Sequence, residues 1–148
     1  MSALFTRILC PIDGSANAEA AMEMAVGLQK AHGAELWLVT VFRHHSLLEA
    51  SMSMVRPEDP GNVDDSLRDY ASEVSEAGKK RAIEFGADPV RAFVKRGPPA
   101  RTIVAFAKDH DCDLIVLGSR GLGDIESYLL GSVSHKVTSL SECPVLVV

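Results

Sequence analysis

The chain has 148 residues, the size of one domain, and 47% of them are hydrophobic against 24% charged, a globular balance that excludes disordered and fibrous classes. Its 15 Lys and Arg face 20 Asp and Glu, for a formal charge of -5. That acidic balance argues against a general nucleic-acid coat or a membrane-surface binder, so neither nucleic acid nor membrane is an expected partner.

Two periods alternate along the chain. Phe5 to Ile12 is an apolar, β-prone run closed by the turn residues Asp13, Gly14 and Ser15, after which Asn17 opens a helical pattern with Ala18, Ala21, Met22, Ala25 and Leu28 on one stripe. Gly33 supplies its stop. Glu35 to Phe42 is the second strand, and a long helix carrying Leu67, Tyr70, Ala71, Val74, Ala77, Ala82 and Phe85 ends at Gly86. The stretch between them, His44 to Gly61, holds Pro57, Pro60 and Gly61 and no clear period, which predicts a mobile surface loop. Val90 to Lys95 is strand three, and Pro98 and Pro99 suit the first turn of a helix that buries Ile103, Val104 and Ala107. Asp113 to Leu117 is strand four, Ser132 to Leu140 helix four, and Val145 to Val148 strand five.

Strands that alternate with helices call for right-handed crossovers and a parallel sheet. The near-continuous apolar runs 114–117 and 145–148 agree, because parallel strands are covered on both faces. The expected fold is therefore α/β, a doubly wound five-stranded parallel sheet of order 3-2-1-4-5 with helices on both faces, in a single domain over residues 1–148. These apolar runs are far shorter than the roughly 20 residues that span a bilayer. Residues 1–7 lack the basic start and long apolar stretch of a signal peptide, so a cytoplasmic protein is expected. Cys10, Cys112 and Cys143 form no CxxC pair and each adjoins an apolar segment, which predicts reduced, buried thiols.

Ligands of doubly wound sheets bind outside the carboxyl ends of the strands, where the strand order reverses. Two loops there carry unusual residues: Asp13-Gly14-Ser15 after strand one, and Gly118-Ser119-Arg120-Gly121-Leu122-Gly123 after strand four. After Gly118 and Gly121 nine residues intervene before Gly131-Ser132 at the start of helix four. Glycines let backbone N–H groups approach a phosphate, and a helix N-terminus adds unpaired donors and partial positive charge. The alternatives stay open: Asp13 as a turn or helix cap, the glycines as turn formers, and Arg120 and Ser119 as solvated loop residues. His44, His45 and His135 read as solvated, and Asp124 and Glu126 as carboxylates that face solvent or help hold a divalent cation through water. A Walker A loop needs a Lys-Ser/Thr pair and a Rossmann fingerprint needs glycines after strand one, and neither is present. Nor is there the Ser-Gly-Gly-x-Asp-Ser loop expected of a pyrophosphatase-type enzyme, or a placed nucleophile and base.

The spacing Gly118-x2-Gly121-x9-Gly131-Ser132, continued by Val133-Ser134 and Cys143-Pro144-Val145-Leu146-Val147-Val148, resembles the universal stress protein family. So does the opening Arg7-Ile8-Leu9-Cys10-Pro11-Ile12-Asp13-Gly14-Ser15, and the likeness covers essentially the whole chain. The resemblance implies the adenine nucleotide alpha hydrolase-like form of the fold and membership of the ATP-binding branch. It implies that Asp13 and the backbone around Val41 hold adenosine, with Pro11, Gly14 and Ser15 beside them. Gly118, Gly121, Gly131 and Ser132 then hold the phosphates, beside Ser119, Arg120, Val133 and Ser134. ATP with Mg2+ or Mn2+ is the implied cofactor, and the implied role is a nucleotide-responsive stress or signalling module. An ATP hydrolase or nucleotide transferase using the same pocket is the competing expectation. The unblocked apolar strand Val145 to Val148 at the sheet's edge, together with the resemblance, predicts a homodimer paired through that strand.

Overall fold

The computed structural model describes residues 4–43, 60–120 and 131–148. In chain order the elements are β1 (Arg7–Pro11), α1 (Ala16–His32), β2 (Glu35–Phe42), α2 (Pro60–Phe85), β3 (Val90–Arg96), α3 (Pro99–Asp109), β4 (Leu114–Leu117), α4 (Ser132–Leu140) and β5 (Val145–Val147). The strands form one sheet of order β3-β2-β1-β4-β5, and every neighbouring pair is parallel. This is the expected doubly wound order.

Alternation along each strand sends side chains to two separate cores. Ile8, Cys10 and Ile12 of the first strand run, with Leu36, Leu38, Leu114 and Val116, pack on the stripe of α1 formed by Ala18, Ala21, Met22 and Ala25. Leu9, Trp37, Val39, Ile115 and Leu117 point the other way, against Ile103, Phe106 and Ala107 of α3 and Val137 of α4. Burial of both faces is what the unbroken apolar strands required.

The element boundaries show what local chemistry does. Ser15 caps α1, its Oγ accepting the Ala18 N–H at 3.1 Å, and Gly33 closes the helix in the left-handed region at φ 64. Helix α2 begins at Pro60, inside the stretch expected to be a loop. Proline loses no needed hydrogen bond at a first helical position, so Pro60 and Gly61 do not break the helix there. The rest of that expected loop, residues 44–59, lies outside the described residues. At the amino end of the sheet, Asp113 accepts the Thr6 N–H at 2.8 Å and the Arg7 N–H at 3.1 Å. There the Arg7 guanidinium pairs with Glu35 at 2.8 Å and lies 4.6 Å from the Trp37 ring centre.

All three cysteines are free. Burial pushes the Cys10 thiol up to about 12. It does the same to Cys112, where Arg7 only partly opposes it. Both therefore behave as small neutral hydrophobes at physiological pH.

Candidate functional site

A cleft of about 340 Å³ opens at the carboxyl ends of β1, β2 and β4. That is the reversal point of the sheet, because β1 continues to β2 on one side and to β4 on the other. Its size falls within the range of small-molecule sites. The floor is apolar, from Val39, Val41, Ile103 and Leu117, and Pro11 and Asp13 close the end at β1. Gly118, Ser119 and Arg120 come in after β4, and Ser132, Val133 and Ser134 are the first turn of α4.

The first turn of α4 is the electropositive element of the cleft. Its N-cap, Gly131, has no side chain to give, and no side-chain cap bond forms. The opening N–H groups of a helix have no intrahelical acceptor, so an uncapped end facing a cleft suits an anion. Two arginines, Arg43 and Arg120, also line the cleft. Position is set by a backbone clasp. The Ser119 carbonyl accepts the Gly131 N–H at 2.6 Å and the Ser134 hydroxyl at 2.9 Å. Ser134 is 2% exposed, and its Oγ also reaches the Gly131 carbonyl at 3.0 Å, so it acts as a brace with its hydrogen-bonding spent inside the protein.

Most of the residues singled out in the sequence meet here: Pro11, Asp13, Val41, Gly118, Ser119, Arg120, Ser132, Val133 and Ser134 all line the cleft. Gly131 is joined to it through Ser119. Gly14 and Ser15 do not face it; they line a different groove, between α1 and α2. Gly14 adopts φ 85, so it is a turn glycine, and Ser15 is spent capping α1. Asp13 also shapes that turn, its Oδ1 accepting the Ser15 N–H at 2.9 Å. Gly121 lies outside the described residues, as do His44, His45, Asp124 and Glu126. His135 is exposed on α4, as expected.

Two residues escaped the reading of the sequence. Arg43 follows β2 directly, and the rule that ligands sit beyond strand ends was enough to nominate it. Asn17 is the second. A Cβ on Gly118 would come within 2.7 Å of Asn17 Oδ1 and 3.0 Å of its carbonyl oxygen. The glycine at 118 is thus demanded by the close passage of α1, whatever approaches from the cleft side. Among the described residues no group of three His, Cys, Asp or Glu side chains could hold a metal ion.

The chain is 35% identical over 148 residues to the Bacillus subtilis universal stress protein YxiE, covering 98% of this chain and 99% of that one. The universal stress protein UspA from Lactobacillus plantarum superposes with a TM-score of 0.82 at 26% identity, over 99% of both chains. A universal stress protein crystallised in complex with cAMP superposes with a TM-score of 0.72, also at 26% identity, over 99% of this chain and 98% of that one. These likenesses confirm the Rossmann-like, adenine nucleotide alpha hydrolase-like fold. With the family's own pattern matched from residue 4 to residue 148, this chain belongs to the universal stress protein family.

Proposed function

We propose that this protein binds an adenine nucleotide, ATP with Mg2+ or Mn2+, in the cleft at the ends of β1, β2 and β4, and works as a nucleotide-responsive stress or signalling module in the cytoplasm. The observation that carries the reading is the uncapped N-terminus of α4 opening onto an apolar cleft at the sheet's reversal point. Apolar walls at Val39 and Val41 suit a base, the Asp13 carboxylate suits ribose hydroxyls, and the α4 turn with Arg120 suits phosphates. The cAMP complex of a relative with the same fold supports an adenine nucleotide as the ligand class. The donor set fits a cation that arrives with the phosphates. Asp13, Ser119 and Ser132 line the cleft, and Mg2+ is commonly held by one or two carboxylates plus substrate phosphates.

Calorimetric titration of the protein with Mg-ATP is expected to give a micromolar dissociation constant, equivalent to about 8 kcal/mol. An absence of heat at millimolar Mg-ATP, with no thermal shift, overturns the reading.

We further propose a homodimer joined through β5. This strand pairs with β4 on one side only, at Ile115 with Val145, Val116 with Leu146 and Leu117 with Val147. Among the described residues no strand pairs with its other edge, and Leu146 is 36% exposed. A second copy related by a two-fold axis would satisfy both edges at once. Light scattering coupled to size exclusion is expected to return about twice the monomer mass. A monomer at tens of micromolar rules the arrangement out.

A further inference from the structure

We infer that Asn17 is a positioning residue of the nucleotide cleft: from the first turn of α1 it holds the backbone after β4 in the shape that lines the site. The inference rests on the nucleotide reading for its functional consequence, but its geometry stands by itself. Asn17 does not line the cleft. Its Oδ1 accepts the Arg120 N–H at 2.6 Å, with the Ser119 hydroxyl at 3.4 Å from the same oxygen. Its Nδ2 donates to the Val148 carbonyl at 3.4 Å, the same oxygen that accepts the Ser119 N–H at 2.9 Å. One short side chain therefore joins α1, the loop after β4 and the residue after β5.

The residue type follows from the position. Ser15 already caps α1, so Asn17 owes nothing to its own helix. The site asks for an acceptor toward Arg120 and a donor toward Val148 on one short side chain, which a carboxamide provides. Aspartate would keep the acceptor and lose the donor. Glutamine would need an extra methylene beside Gly118, where there is no room even for a Cβ on the glycine next to Asn17. The Ser119 peptide is then held from three directions: by Val148 on its N–H, by Gly131 and Ser134 on its carbonyl, and by Asn17 through the next N–H. Residues 118–120 also line the cleft. Loosening Asn17 frees that backbone, and a ligand must then order it again on binding.

The test compares the full chain with Asn17→Ala, Asn17→Asp and a control, Val26→Ala, which thins the buried face of the same helix away from the loop. Amide exchange is followed by NMR without nucleotide, and Mg-ATP affinity by calorimetry. In Asn17→Ala the Arg120 amide is expected to exchange at least tenfold faster and Mg-ATP to bind about tenfold more weakly. Asn17→Asp is expected to restore protection at Arg120, because the acceptor remains. Val26→Ala is expected to lower Tm while leaving both readouts at parent values. Unchanged protection at Arg120 in Asn17→Ala overturns the inference, as does an equal loss of affinity in Val26→Ala. A parent that binds no Mg-ATP defeats the nucleotide reading alone, and the exchange at Arg120 then still decides whether Asn17 holds the loop.

Discussion

Replacing Gly118 by alanine is expected to weaken the fold and the site together. The new Cβ would stand 2.7 Å from Asn17 Oδ1, closer than real Cβ contacts come, and 3.0 Å from Asn17 O, tighter than nearly all of them. One of the neighbours is backbone of α1, anchored by the Ser15 cap and by Ala18, Ala21 and Met22 in the core. The loop after β4 must therefore be what moves. Overpacking of this kind costs about 1–3 kcal/mol, or a fall in Tm on the order of 5 °C for a chain of this size. Because residues 118–120 line the cleft, the same displacement is expected to weaken Mg-ATP binding about tenfold. Thermal unfolding and calorimetry of Gly118→Ala check both effects. A variant with parental Tm shows that the contact with Asn17 relaxes at no cost.

Gly131 should behave in the opposite way, losing ligand without losing fold. Its φ of -62 and ψ of 161 are open to any residue, so the backbone does not require glycine there. What its bareness provides is an uncapped helix end. In Gly131→Val the branched side chain crowds the N–H groups of the first turn of α4. In Gly131→Asp a carboxylate can cap them and occupy the place of a phosphate, a change that favours the helix by a few tenths of a kcal/mol. Charge-assisted hydrogen bonds contribute about 1.5–3 kcal/mol each, so Mg-ATP affinity is expected to fall ten- to hundredfold in both variants. Tm should stay near the parent value, and adenosine should still bind weakly. Parental Mg-ATP affinity in Gly131→Val means the phosphates are not held at this helix end.

The sheet was legible because its strands are unusually apolar. Leu114 to Leu117 has four buried residues in a row, and that pattern belongs to few environments other than a covered parallel strand. The parallel, doubly wound class followed from the alternation of strands with helices and the handedness rule, which by themselves leave more than one strand order open. The start of α2 was not legible, since proline and glycine at 60 and 61 break a helix interior yet suit its first turn, and only the neighbouring turns decide which applies. The site was legible as a place more than as a set of roles. Strand-end position pointed to Asp13, Ser119 and Ser132, and the family resemblance to Val41, all of which line the cleft; strand-end position also gathered Gly14 and Ser15, which line the groove beside α2. Chain proximity could not show that the turn after β1 divides its residues between two grooves. Likewise the glycine pattern marked Gly118 while hiding the reason for it, because the atom that excludes a side chain belongs to Asn17, 101 residues earlier in the chain.

An NMR titration of isotope-labelled protein with Mg-ATP tests most directly whether an adenine nucleotide occupies this cleft, since it reports both binding and place. The expected result is saturable shifts at the amides of Asp13, Val41, Gly118, Ser119, Ser132 and Val133, with Tyr70, Val74 and Ala77 in the groove between α1 and α2 unmoved. No shifts at millimolar Mg-ATP, or shifts confined to that second groove, contradict the account.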